Sequence, residues 1–195
     1  MNEKLIRTFL SFPVPMEVKS KKNMLYSTLE DSDAKIHWVK NHNLHLTVKF
    51  IGHTSESFVS KIIDTVSKIT FDFKPFRLII NGTGCFPKKE RPRTLFMGIE
   101  GSLTPLYDLV SRIENELEKL GFSKESNEFI PHITVARIKY PQKHTPDINL
   151  FLQSSYDPID LSLNRLQFFA SELLPSGSVY TLLQSFPFGE KIKEI

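Results

Sequence analysis

The chain lacks a second cysteine. Cys85 is the only one in 195 residues, so neither an intrachain disulfide nor a multi-cysteine zinc site is possible, and a reducing compartment, the cytoplasm, is expected. It also lacks an excess of either charge. Twenty-five Lys and Arg against 22 Asp and Glu leave +3, too mild for bulk coating of nucleic acid, so any basic footprint must be local. No apolar run approaches the roughly 20 residues that cross a bilayer. The N-terminal stretch carries Glu3 and is broken by Arg7 and Pro13, which suits a first strand and not a signal peptide. Glycine is scarce, at eight residues, and no low-complexity segment, linker or solenoid repeat interrupts the chain. Absent too are HExxH, the GxSxG elbow and a complete dinucleotide or Walker fingerprint; Asn81-Gly82-Thr83-Gly84 is a lone GxG that reads as a turn.

What remains is an apolar fraction of 40%, enough for one compact domain spanning residues 1–195. Periodicity predicts strands over Lys4 to Phe12, Leu44 to Ile51 and Phe73 to Ile80, with further strands over Thr94 to Ile99, Phe129 to Ile138, Asp160 to Ala170 and Val179 to Phe186. Helices are predicted over Met16 to Leu29, from Thr54 to about Ile69, and over Ser102 to Leu120. The last places Leu106, Leu109, Val110, Ile113 and Leu117 on one face and closes at Gly121. Gly52 is read as the end of its strand, Asn81 to Arg93 as a long loop, and Leu174-Pro175-Ser176-Gly177 as a hairpin turn. Hairpin signals mixed among helices favour an α+β architecture with mainly antiparallel sheets; a parallel α/β sheet is the alternative.

One echo stands out. His45-Leu46-Thr47-Val48 returns 87 residues later as His132-Ile133-Thr134-Val135, each on a predicted strand, which suggests two related lobes. Strand alternation points His45 and Thr47 one way, about 7 Å apart, with Leu46 and Val48 opposite; His132 and Thr134 repeat this. Should the two strands face a common cleft, two imidazoles and two hydroxyls converge, a set suited to a tetrahedral phosphate between an acid and a base. Either motif alone reads more simply as a histidine and a β-favoured threonine in a strand; the matched pair reverses that weighing. His53-Thr54-Ser55 has the same spacing but sits among polar capping residues and is set aside as a decoy.

Lys49 lies by alternation on the His45 face and is a weaker candidate for adding positive field. Arg137 falls on the face away from His132 unless a bulge redirects it. Arg93 belongs to the basic tract Lys88-Lys89-Glu90-Arg91-Pro92-Arg93, an RNA-backbone contact or an ordinary solvated loop. Lys19, Lys21 and Lys22 read as a solvated helix face. Phe9, Phe50 and Phe86 are possible stacking groups, although most of the 16 Phe must be core. Metal ligation by His37, His42, His45 and His53 is a subordinate reading, since no acidic cluster accompanies them.

The segments NLHLTVKFIG, GTGCFPKKERPRTLFMGIE, FIPHITVARI and SELLPSGSVYTLLQSFPF, spread over most of the chain, resemble the bacterial RNA 2′,3′-cyclic phosphodiesterases (LigT-like) of the 2H phosphoesterase superfamily. The order and spacing of the motifs make the likeness specific, and no key position departs from it. The resemblance implies a bilobal fold of two mainly antiparallel sheets around a central cleft, helices outside, and a single domain of two pseudo-symmetric lobes. It implies no required metal and a substrate that is RNA with a 2′,3′-cyclic phosphate end or a small cyclic nucleotide; no cofactor is expected, and a monomer is the default expectation. The expected product is the 2′-phosphomonoester. By the same resemblance His45 is the proton donor to the leaving 3′ oxygen, His132 the base, and Thr47 and Thr134 the phosphate-binding hydroxyls. An ordinary imidazole pKa near 6.5 lets one ring be neutral and the other charged at neutral pH. Two alternatives stay open: a reversible 2′-5′ RNA ligase, and a catalytically silent nucleotide- or RNA-binding module.

Overall fold

A computed structural model of the chain describes residues 5–29, 35–175 and 177–190, which places Lys4 and Ser176 outside the described residues. The first strand, β1 (Leu5–Pro13), leads to α1 (Glu17–Tyr26), a short β2 (Ile36–Trp38), a 3-10 turn at Asn41–Asn43 and β3 (His45–Ser55). Next come α2 (Glu56–Phe71), β4 (Phe76–Phe86), β5 (Thr94–Glu100), α3 (Thr104–Lys119) and β6 (His132–Ile138). The chain ends with α4 (Asn149–Gln153), β7 (Ile159–Leu163), β8 (Arg165–Leu174) and β9 (Gly177–Pro187). The fold is α+β, and every strand pairing among the described residues is antiparallel.

Eight strands run in the order β7-β4-β5-β6-β3-β1-β8-β9, and β2 pairs with β6. The two expected sheets are the two halves of this curled sheet, joined where Leu46 of β3 pairs with Ile133 of β6. Each half has the same kind of build: a motif strand at the junction (β6 or β3), then β5 or β1, β4 or β8, and β7 or β9 at the edge. The buried face carries Leu46, Val48, Ile133 and Val135, and α3 packs there with Leu106, Leu109, Ile113 and Leu117 fully buried. The end of α3 is set locally. Gly121 adopts φ +93°, and the Phe122 and Gly121 amides donate to the Leu117 and Glu118 carbonyls, the pairing of a left-handed helix stop.

The structure corrects several boundaries. Gly52 does not end β3; at φ +88° it forms an irregularity opposite Thr8, and pairing resumes at Arg7–His53 and continues to Leu5–Ser55. Residues 81–86 are strand, so the expected long loop shrinks to 87–93. Gly82 lies in a register shift of β4 with φ +70°, and Gly84 sits under the Phe96 ring, where a Cβ would come within 2.3 Å of Cζ. Neither is a turn glycine. The single strand expected over Asp160 to Ala170 is two, because β7 pairs with β4 in one half and β8 with β1 in the other, breaking at Asn164. Pro131, which has no amide hydrogen for a ladder, delays β6 to His132. The hydroxyls of Ser27 and Thr28 bond back to the Met24 and Leu25 carbonyls where α1 stops, short of Leu29. No helix among the described residues is long and apolar enough to cross a membrane.

Candidate active site

The two motif strands do not face each other across a cleft; they are neighbours in the sheet. With Leu46 opposite Ile133 in an antiparallel pair, His45 comes level with Thr134 and Thr47 with His132. The four side chains stand on the open face as an alternating quadrilateral with the histidines on one diagonal. Diagonal neighbours lie about 7–8 Å apart where pairing is tight, and more where strands diverge. All four line a cavity of about 590 Å³, within the range of small-ligand sites.

Each imidazole is held in the same way. His45 Nδ1 lies 2.7 Å from the Asn43 carbonyl oxygen and His132 Nδ1 2.7 Å from that of Ile130. A carbonyl only accepts, so both Nδ1 atoms carry hydrogen and donate it, leaving both Nε2 atoms free for chemistry. The Asn43 side chain also donates to the Ser178 carbonyl (2.8 Å), tying the carbonyl that orients His45 to the β8–β9 hairpin. Neither Thr47 nor Thr134 has a hydroxyl partner among the described residues, so both can donate to a ligand.

Aromatic walls set the electrostatics. Phe9 and Tyr180 lie 5.0 and 5.5 Å from the His45 ring, centroid to centroid, and Phe86 and Phe96 lie 5.0 and 5.2 Å from His132. Burial disfavours the charged ring. It drives the His45 pKa down to about 4, with Arg137 and His132 adding to the fall and the Asn43 carbonyl opposing it. His132 is lowered in the same way, first by burial and then by Arg137, against the Ile130 carbonyl. The expectation of two ordinary imidazole pKa values is therefore corrected: with the cavity free of anion, both rings are neutral at pH 7.

Two of the weaker candidates exchange places, for one reason. Both motif strands carry a bulge just after the threonine: pairing steps from Ser11–Thr47 to Leu10–Lys49 in one half and from Phe96–Thr134 to Leu95–Ala136 in the other, skipping Val48 and Val135. A bulge reverses alternation. Lys49 accordingly turns into the core, 1% exposed, where Nζ donates to Glu114 Oε2 of α3 at 2.6 Å and to the Ser123 carbonyl at 3.0 Å. Arg137 turns the other way and lines the cavity. Phe50 occupies the matching position in the first half and lines the cavity as well.

Arg93 does not reach the site. Its neighbour Thr94 faces the cavity, so Arg93 is directed away, with its guanidinium 6.0 Å from the centre of the Tyr140 ring, over which Arg91 also lies at 5.1 Å. His37 is opposite Arg137 on β2, and His53 opposite Arg7 on β1. Among the described residues no three His, Cys, Asp or Glu side chains gather as metal ligands. The sequence reading missed Arg7, Asn43 and Tyr180, which also line the cavity. Arg7 was detectable by alternation from Phe9. Tyr180 was not, since only the docking of the C-terminal hairpin on β1 brings it to His45.

The LigT-like phosphoesterase family pattern matches residues 12–96 and 100–180. An RNA 2′,3′-cyclic phosphodiesterase of Thermotoga maritima is 32% identical over 184 residues, 94% of this chain and 96% of that one. One from the archaeon Aeropyrum pernix is 39% identical over 149 residues, 74% and 82% of the two chains. The likeness thus extends beyond bacteria. Among solved structures, a Thermus thermophilus protein superposes with a TM-score of 0.77 at 26% identity, covering 94% of this chain and 98% of that one. LigT of E. coli, complexed with 3′-AMP, shares the fold with a TM-score of 0.74 at 19% identity, over 96% and 100% of the chains.

Proposed function

The chain belongs to the LigT-like phosphoesterase family, and on that footing we propose that it hydrolyses the 2′,3′-cyclic phosphate at an RNA end, or of a small cyclic nucleotide, to the 2′-phosphomonoester. The observation that carries this reading is the pair of imidazoles in one cavity, each locked by the same Nδ1–carbonyl bond with Nε2 free, interleaved with two threonine hydroxyls.

In this reading, water attacks phosphorus as His132 Nε2 accepts its proton. The bond from phosphorus to the 3′ oxygen breaks, and that oxygen takes the proton held on His45 Nε2. The Thr47 and Thr134 hydroxyls and the Arg137 guanidinium donate to the non-bridging oxygens, where charge accumulates in the transition state. The diagonal placement of the histidines suits in-line displacement, in which base and acid stand on opposite sides of phosphorus. The bound phosphate anion raises both imidazole pKa values and supplies the condition for protonating His45. We read the chain as one domain of two pseudo-symmetric lobes, supported by the matching strand orders and matching bulges. One chain contributes both histidines, both threonines and Arg137, which supports a monomer. The lone Cys85 suits the cytoplasm.

The test is to incubate the protein, with chelator present, with an RNA of defined sequence ending in a 2′,3′-cyclic phosphate and to identify the product. A 2′-phosphomonoester is expected. A 3′-phosphomonoester refutes the regiochemistry, a 2′-5′ joined product favours the ligase, and binding without turnover favours the silent module.

The acidity of the site gives a second prediction. kcat/KM follows the free enzyme, in which one ring must be protonated and the other neutral; with both pKa values lowered, that state peaks on the acid side of pH 6.5. The profile of kcat/KM is expected to be bell-shaped with its maximum below about pH 6.5, and that of kcat to peak higher, because bound phosphate favours the charged rings. A kcat/KM maximum at or above pH 7 contradicts the assignment.

A further inference from the structure

Resting on the reading above, we propose that Arg7 is a specificity-determining residue: it holds the phosphodiester one nucleotide upstream of the cyclic phosphate, so that the cavity takes an oligonucleotide end in preference to a mononucleotide.

Two guanidinium groups line the cavity, and they do different work. Arg137 lies close enough to the histidines to depress both, whereas Arg7 contributes to neither shift. The register gives the reason. Along β1 and β3, Ser11 pairs with Thr47, Phe9 with Phe50 and Arg7 with His53. Arg7 is thus four residues beyond the Thr47 level, about 13 Å along the strand. Between the two levels the Phe9 and Phe50 rings sit 6.1 Å apart, and both line the cavity. An apolar step therefore separates the histidine–threonine quadrilateral from a second cationic position.

That position is unspent. Arg7 is exposed, and no carboxylate among the described residues pairs with it; its cross-strand neighbours are His53 on one side and Ser171 on the other, both able to donate to an anion. A guanidinium left free beside a hydroxyl and an imidazole fits a phosphodiester, which it can bind through two parallel hydrogen bonds. A mononucleoside 2′,3′-cyclic phosphate carries one negative charge, and Arg137 with the two threonines already answers it. A dinucleotide with the same end carries a second, on the 5′ side of the terminal nucleoside. Arg7 lines the same cavity and its side chain is long enough to meet that charge, with the terminal nucleoside against Phe50, the exposed ring of the step.

The experiment compares kcat/KM for a mononucleoside 2′,3′-cyclic phosphate with that for a dinucleotide bearing the same terminus, in wild type and in the Arg7→Gln, Arg7→Lys and Arg137→Gln variants. Wild type is expected to favour the dinucleotide. Arg7→Gln is expected to reduce the dinucleotide-to-mononucleotide ratio by about tenfold, the loss of one charge-assisted contact, mainly through KM. Arg7→Lys restores part of the ratio, and Arg137→Gln lowers both substrates alike and leaves the ratio intact. A wild-type ratio near one, or a ratio unmoved by Arg7→Gln, overturns the proposal while leaving the phosphodiesterase reading in place. Wild type turning over neither substrate overturns that reading, and this one with it.

Discussion

Alanine at His45 or at His132 is expected to lower kcat by about 10²- to 10⁴-fold on an RNA cyclic phosphate, the usual weight of a single general acid or base. Because the two groups act on one phosphorus in one step, the double variant should be little worse than the poorer single one. The roles separate with the leaving group. A cyclic-phosphate analogue whose departing oxygen needs no proton should recover most of the rate in His45→Ala, whose missing function is the acid, and little in His132→Ala, whose missing function is the base. Steady-state kinetics on the folded variants decides this. If either variant keeps more than about a tenth of wild-type kcat, that imidazole is not an acid–base group of the reaction.

Lys49→Ala should damage stability and not chemistry. The ammonium is buried against Glu114 and the Ser123 carbonyl on the helix side of the sheet, so its removal leaves a largely buried carboxylate unpaired. Breaking one side of such a pair costs on the order of 3–5 kcal/mol. In a chain of this size each kcal/mol moves Tm by roughly 2–4 °C, so a fall of about 6–20 °C is expected in a thermal melt. Replacing both partners, Lys49→Met with Glu114→Leu, should recover much of the loss, since a well-packed apolar pair carries no desolvation penalty. Lowered kcat with unchanged Tm would return Lys49 to the site.

Lys49 and Arg137 also show where sequence reading stops. Strict alternation assigned Lys49 to the histidine face and Arg137 to the opposite one, and both assignments are reversed by bulges at Val48 and Val135. Nothing in HLTVKF or HITVAR announces an extra residue, because a bulge is a property of two strands in register and half of that information lies in β1 and β5. The same holds for Gly84: a glycine in a GxG reads as a turn until the Phe96 ring is found lying across it. By contrast, α3 was legible almost to the residue, because its apolar stripe and its terminal glycine are both local signals. The strands at β1, β5 and β9, and the start of β3, were legible for the same reason.

By itself the sequence determined the α+β character, the two His-x-Thr strands and the shared face of each His and Thr, since the two-residue period of a strand is fixed by covalent geometry. Tertiary structure decided everything that needs two distant segments at once. It made the motif strands neighbours through Leu46 and Ile133, surrounded each imidazole with aromatic rings that lower its pKa, and exchanged the places of Lys49 and Arg137. The physical reason is that register, burial and electrostatic field are relations between strands. They take values only when the chain has closed on itself.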